Sequence, residues 1–151
     1  MRFDHIGIVT PTLAQGRAFF SSVLQVTQWT EEYTDPGIGV LVQFGRARDG
    51  AGPCYELIAP HGACSPIARA AKSHTNILNH VAYVVDDLAE SAALLHGSGC
   101  MPVSQAQPAV AYGGRKVQFF LSPLVFIIEL VEGPAPQPHL TYNLEPHYAT
   151  N

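Results

Sequence analysis

Four residues of this 151-residue chain could do chemistry together, and they occupy matched positions: His5 and Glu56 in the first half, His80 and Glu129 in the second. Each histidine opens an apolar, strand-like run, Phe3 to Val9 and Leu78 to Val85. Each glutamate interrupts another, Cys54 to Ile58 and Phe126 to Val131. A single strand histidine is commonly a hydrogen-bonded structural residue. Two at repeat positions, each matched by a glutamate, make a ready site for a divalent cation. Two neutral imidazoles and two carboxylates suit an ion with octahedral preference (Co, Ni, Mn, Fe or Zn) and leave two positions for water or substrate. Such an ion polarises a carbonyl oxygen as a Lewis acid. A carboxylate between Ile127-Ile128 and Leu130-Val131 would be costly to bury without a cation or donors. Glu56 carries that argument more weakly, because it lies nearer an expected exposed turn.

A sequence repeat must hold these residues. Phe3 to Gln25 reads strand, turn, helix, with Thr12 as N-cap and Leu13, Phe20 and Leu24 on the buried helix face. Leu78 to Cys100 repeats the plan, with Asp87 as N-cap and Gly97 or Gly99 as the stop. Three strands are expected after each helix, at 26–34, 38–46 and 53–59 and again at 102–106, 115–121 and 125–132. Asp35-Pro36-Gly37, Arg48-Asp49-Gly50, Tyr112-Gly113-Gly114 and Ser122-Pro123 divide them. A linker, 60–77, holds a short helix with Ser65 as N-cap and Pro66 at its first position. The fold class is therefore α+β. Two tandem β-α-β-β-β modules, 1–59 and 78–132, form one domain over 1–132, a cupped and partly closed mixed sheet with helices outside. Residues 133–151 are a Pro-rich C-terminal arm.

Composition excludes several classes. The chain is 47% apolar but only 13% charged, with net charge −4 and eight scattered lysines and arginines. It has no basic stripe to neutralise phosphates, so no nucleic acid is expected as a partner. No run reaches the ~20 apolar residues of a membrane span, and no signal peptide is recognisable. Cys54, Cys64 and Cys100 form neither a C-x-x-C pair nor an even set. A reduced, cytoplasmic protein is expected, with Cys54 and Cys100 in the core. The low charge and the arm favour a homodimer.

Several blocks occur in a telling order. They are Asp4-His5-Ile6-Gly7-Ile8-Val9, Tyr55-Glu56-Leu57-Ile58-Ala59-Pro60 with Ser65-Pro66-Ile67-Ala68, Asn79-His80-Val81-Ala82-Tyr83, Gly113-Gly114-Arg115-Lys116-Val117 and Ile127-Ile128-Glu129-Leu130. Over residues 3–132 this resembles the vicinal oxygen chelate (glyoxalase/bleomycin resistance/dioxygenase) superfamily, and within it most closely the methylmalonyl-CoA epimerase family. The resemblance implies His5, Glu56, His80 and Glu129 as metal ligands. It also implies an epimerase or isomerase that removes the proton beside a carbonyl or thioester through a metal-stabilised enolate. Glu129 would be the main base and Glu56 the second catalytic carboxylate, approaching from opposite sides. The substrate would be a small molecule such as an acyl-CoA or other acyl thioester. Gly113, Gly114 and Arg115 would shape a loop for a carboxylate or CoA phosphate, and Gln43 and Gln118 would line the cavity.

The same ligand order resembles glyoxalase I, so a glyoxalase I-like lyase and a specialised natural-product pathway enzyme are alternatives. A drug-binding resistance protein of this fold is a third, although such proteins typically lack the ligands. Epimerases of this type carry either Glu or Gln at the position of Glu56. Some place a further catalytic glutamate on the third strand, after a Gly-Val pair. Here Gly39-Val40 is followed by Leu41, Val42 and Gln43, with no carboxylate, and Val42 stands at the expected base position.

Overall fold

The computed structural model describes residues 1–48, 50, 52–75 and 78–133. Asp49 of the expected turn and the arm beyond Gly133 lie outside the described residues. The chain runs β1 (Arg2–Val9), α1 (Leu13–Val23), β2 (Val26–Trp29), β3 (Tyr33–Asp35), β4 (Val40–Ala47) and β5 (Cys54–Pro60). A linker helix, α2 (Ala68–Ser73), leads to β6 (Leu78–Val85), α3 (Leu88–Gly97), β7 (Met101–Pro102), β8 (Gln107–Pro108), β9 (Lys116–Leu121) and β10 (Ile127–Glu132). The α+β class and the tandem modules stand.

Local chemistry sets the helix ends. The Thr12 hydroxyl accepts the Gln15 N–H at 3.2 Å, and Asp87 accepts the Glu90 N–H at 2.9 Å, so both expected N-caps are present. Gly99, at φ 84°, follows α3 in the left-handed conformation that glycine adopts without strain. Two expectations shift. The buried face of α1 is Leu13, Gly16 and Phe20, while Leu24 follows the helix as its C-cap and is exposed. The linker helix starts at Ala68, after a turn closed by the Ala68 N–H on the Ser65 carbonyl. Ser65 therefore does not cap it.

The strand expected at 26–34 is broken in two, and the one expected at 102–106 is a break over 103–106 between two short strands, β7 and β8. β2 and β3 both pair with β4, and β7 and β8 both pair with β9. At the first break the Thr30 hydroxyl takes over from the ladder, accepting the Phe44 N–H at 3.1 Å. At the second, the Ser104 hydroxyl accepts the Phe119 N–H at 3.0 Å. A side chain standing in for a backbone partner lets each strand bend without losing a hydrogen bond.

The sheet order is a palindrome of the two halves, β2-β4-β5-β1-β6-β10-β9-β7. The halves join at an antiparallel β1–β6 pair, and each of these strands has a parallel neighbour, β5 or β10. The sheet curls far enough for β3 to touch the 3-10 turn Val110–Tyr112 that precedes β9. There the Val110 N–H donates to Asp35 Oδ2 at 2.8 Å. One apolar cluster, including Val42, Phe44, Ile58, Ala82, Val117 and Tyr112, fills the concave side. Two others pack α1 and α3 on the outer face. Cys54 and Cys100 are buried and unpaired, as expected. Among the described residues no helix is long and apolar enough to cross a membrane.

Candidate metal centre

The palindromic order decides where the four residues meet. His5 and His80 come from the central strands β1 and β6, Glu56 and Glu129 from the flanking β5 and β10. All four side chains turn into the cup and are buried. The two imidazole Nε2 atoms lie 2.9 Å apart. Glu56 Oε2 is 3.3 Å from His5 Nε2 and 3.2 Å from His80 Nε2. Glu129 Oε2 is 3.3 Å and 3.0 Å from the same atoms. Each carboxylate thus meets both imidazoles, from opposite flanks of the histidine pair. Glu56 is 7% exposed and Glu129 4%, so the weaker case expected for Glu56 is corrected: β5 carries it to the middle of the sheet, away from the turn.

This geometry fits a divalent ion. Bonds of about 2.1 Å set adjacent octahedral ligands about 3.0 Å apart and tetrahedral ligands about 3.4 Å apart. The five observed separations run from 2.9 to 3.3 Å, and all four ligand atoms lie within 4.8 Å of one another. Glu129 Oε2 is close to both imidazoles yet out of line for a hydrogen bond with either, so among the described residues it is a buried, unsatisfied oxygen. A cation at the centre would satisfy it.

Two side chains next to the histidines complete the site, and both come from strand irregularities. Successive strand residues normally face opposite sides of a sheet. The β1–β6 register slips between Phe3 and Ile6, around Asp4-His5, and again between Gly7 and Ile8, where Asn79 has no opposite number. Each slip lets the residue before a histidine turn back to that histidine's ring. Asp4 Oδ2 lies 2.8 Å from His5 Nδ1, and Asn79 Oδ1 lies 3.0 Å from His80 Nδ1. With Nδ1–H committed to these acceptors, both Nε2 lone pairs are left for a metal. Tyr112 donates its hydroxyl to Asp4 Oδ2 at 2.8 Å. Gly7 lies opposite His80, and a Cβ there would overlap the His80 ring at Cε1, Nε2 and Nδ1.

Without a metal, the cluster is held by shared protons. Burial works against a charged His5, yet the Glu56 charge, the hydrogen bond to Asp4 and the adjacent Glu129 and Glu56 carboxylates raise its pKa well above the ordinary 6.5. His80 is raised in the same way, against its burial, chiefly by Glu129. Burial disfavours an ionised Glu56, but His5 and His80 hold it down to about 2, and Glu129 is lowered mainly by His80 against its own burial. Burial, then the Asp4 charge, raises Tyr112 well above 10 and keeps it a neutral donor. The histidine contributions to stability are full below 6.5 and fade as pH rises through the raised values. The glutamate contributions are full above 4.5 and fade as pH falls towards about 2. Metal-free protein should therefore be held best between those two pH values. Metal must displace the histidine protons, so its stabilising effect should grow with pH. Thermal unfolding with and without Co²⁺ checks this: the metal-induced rise in Tm should be larger at about pH 8 than at about pH 6.

The remaining predicted residues fall elsewhere. Gln43 and Gln118 are corrected, because strand alternation turns both away from the concave side. Gln43 Nε2 donates to the Thr30 carbonyl at 2.8 Å, and Gln118 Nε2 to the Ser104 carbonyl at 3.2 Å. They are equivalent braces for the two strand breaks. Gly113 and Gly114, at φ 65° and 85°, form the turn after Tyr112, their N–H groups donating to the Val110 and Ala109 carbonyls. Arg115 donates through Nη1 to the Glu132 carbonyl at 3.4 Å. The pair thus turns the chain so that Tyr112 points into the cup. Val42 is buried in the concave cluster, so the position without a carboxylate does face the site. Asp4, Asn79 and Tyr112 went unpredicted. For the first two a signal existed, an Asp-His and an Asn-His dipeptide at matching repeat positions. A groove of about 260 Å³, lined by Leu78, Asn79, His80, Val81, Phe126 and Ile127, adjoins the centre.

Solved structures share this architecture. A hypothetical protein from Bacillus halodurans C-125 superposes with a TM-score of 0.74 at 22% identity, covering 89% of this chain and 96% of its own. Methylmalonyl-CoA epimerase from Mycobacterium tuberculosis gives 0.71 at 24% identity, covering 89% of each chain. A Streptomyces coelicolor methylmalonyl-CoA epimerase variant, in complex with 2-nitronate-propionyl-CoA, gives 0.70 at 20% identity, over 89% and 99%. These likenesses establish the fold. No curated protein matches the chain. The model of the glyoxalase/bleomycin resistance protein/dioxygenase superfamily matches residues 4–119, a span that starts one residue before His5 and includes three of the four clustered residues. With most of the chain matched and both modules in place, this protein belongs to the glyoxalase/bleomycin resistance protein/dioxygenase superfamily.

Proposed function

We propose that the protein is a divalent-metal-dependent isomerase that removes and returns a proton on the carbon beside a carbonyl or thioester. The observation that carries this reading is the buried four-residue cluster with an unsatisfied carboxylate oxygen at its centre. A metal held by His5, Glu56, His80 and Glu129 would supply Lewis-acid stabilisation of an enolate oxygen. The Glu129 carboxylate takes the proton from the carbon, on its own flank of the histidine pair. The C–H electron pair then becomes part of the enolate. Glu56 stands on the other flank of the histidine pair, placed to serve the opposite face of the carbon. Phe44, Val42 and Tyr112 line the cup and exclude water around the charges.

An acyl-CoA or other acyl thioester is the favoured substrate class. The mainly apolar lining of the groove beside His80 suits an acyl segment, and a fold neighbour is a methylmalonyl-CoA epimerase variant in complex with 2-nitronate-propionyl-CoA. Phe19, Val23 and Leu24, exposed together at the end of α1, support the expected homodimer. A lyase of the glyoxalase I type is the second reading. Val42 favours it, because the position that holds a further glutamate in some epimerases is apolar here.

The test is to incubate metal-loaded protein with a methylmalonyl-type thioester in deuterium oxide and follow C2 by NMR. Deuterium uptake at C2 with inversion is expected. A loaded protein that catalyses no exchange would rule out the isomerase reading, and a rearranged product from a hemithioacetal would favour the lyase.

A further inference from the structure

The two histidines occupy equivalent places in the repeat, yet their supports differ in charge. His5 Nδ1 is 2.8 Å from the Asp4 carboxylate, which is itself buried and takes a second hydrogen bond, also 2.8 Å, from Tyr112. His80 Nδ1 is 3.0 Å from the neutral amide oxygen of a half-buried Asn79. Tyr112 belongs to the second half of the chain and Asp4 to the first, so this contact also ties the two modules across the cup. Phe44 packs edge-on against both His5 and Tyr112 and closes the network from the side.

A carboxylate on the outer nitrogen of an imidazole draws its N–H proton outward and enriches the electron density at the inner nitrogen, more than an amide can. Resting on the reading of the four residues as a metal centre, we propose that Asp4, braced by Tyr112, is a positioning residue. It makes His5 the stronger and more rigid ligand, so that the ion is anchored from the first half of the chain. The His80 side, which Phe119 also meets edge-on but whose outer nitrogen faces only the neutral Asn79 amide among the described residues, is the weaker one. Sequence equivalence thus conceals a functional asymmetry: the site has an anchoring half and an adaptable half. The adaptable half is also the one that adjoins the apolar groove.

The experiment measures Co²⁺ affinity of the full-length protein by chelator competition, with thermal unfolding of the metal-free forms alongside. Asp4→Asn keeps an acceptor but removes the charge, and should weaken binding about 10–100-fold. Tyr112→Phe should weaken it in the same direction by less, and Asn79→Ala should weaken it less than Asp4→Asn does. Asn79→Asp places the carboxylate on the other half and should tighten binding, alone and in the Asp4→Asn background. A purely structural role for Asp4 would not produce that gain. If Asp4→Asn fails to fold, Tyr112→Phe and Asn79→Asp decide the matter. Equal losses in Asp4→Asn and Asn79→Ala, or no gain from Asn79→Asp, would overturn the asymmetry. If the unaltered protein bound Co²⁺ tightly while Asp4→Asn bound it equally well, only this inference would fall. If the unaltered protein bound none, the metal centre would fall with it.

Discussion

Glu129→Gln is expected to lower proton exchange at the substrate carbon by about 10³-fold or more, with the chain still folded. The amide matches the carboxylate in size and shape but cannot accept a proton at neutral pH, and general-base contributions are worth about 10²–10⁴-fold. It also removes one of the two negative charges facing the histidine pair, so metal affinity should fall as well. Glu56→Gln provides the contrast. Its carboxylate serves the other flank, so the variant should keep much of the exchange at C2 while losing inversion. Deuterium uptake and optical rotation, measured on the same samples, separate the two outcomes. Equal behaviour of the two variants would contradict the assignment of Glu129 as the main base.

Gly7→Ala is expected to weaken metal binding and turnover about 10²-fold through one added methyl group. Gly7 contributes no chemistry. Its hydrogen-only side lets the His80 ring lie against β1, and an alanine Cβ would occupy the space of three ring atoms. The imidazole is a planar ring packed between Gly7 and the edge contact with Phe119, so it must move as a unit. Misplacing a group by about 1 Å commonly costs about 10²-fold in rate. The overpacking itself should cost about 1–3 kcal/mol of stability. Chelator competition and metal-free thermal unfolding distinguish loss of the site from loss of the fold. Unchanged Co²⁺ affinity would show that the His80 ring does not need the glycine.

Much of this site was legible from residue types and spacing, because the repeat states it twice. His5 and His80, followed at similar intervals by Glu56 and Glu129, needed only the palindromic strand order to converge. Both helix caps, Thr12 and Asp87, were equally readable, since a cap is a local event. Gln43 and Gln118 were misread for a physical reason. A polar residue inside an apolar strand invites a functional reading, but its face depends on register, which the neighbouring residues did not settle. Their actual task is to brace breaks at Thr30 and Ser104. Asp4 and Asn79 were hidden by the period-of-two rule, which turns a residue beside a histidine to the opposite face. The bulges that reverse this appear only once β1 and β6 are paired. Tyr112 reaches Asp4 from more than a hundred positions away, through the curl of the sheet, and no local pattern announces it.

Metal titration is the decisive check on the centre. Chelator-stripped, full-length protein is titrated with Co²⁺ while the visible absorption bands are followed, with His80→Ala as the comparison. A single ion per chain, with the weak bands of an octahedral nitrogen–oxygen complex, is predicted for the unaltered protein, and tight binding should disappear in the variant. No saturable binding, or binding that survives His80→Ala unchanged, would contradict a centre built from His5, Glu56, His80 and Glu129.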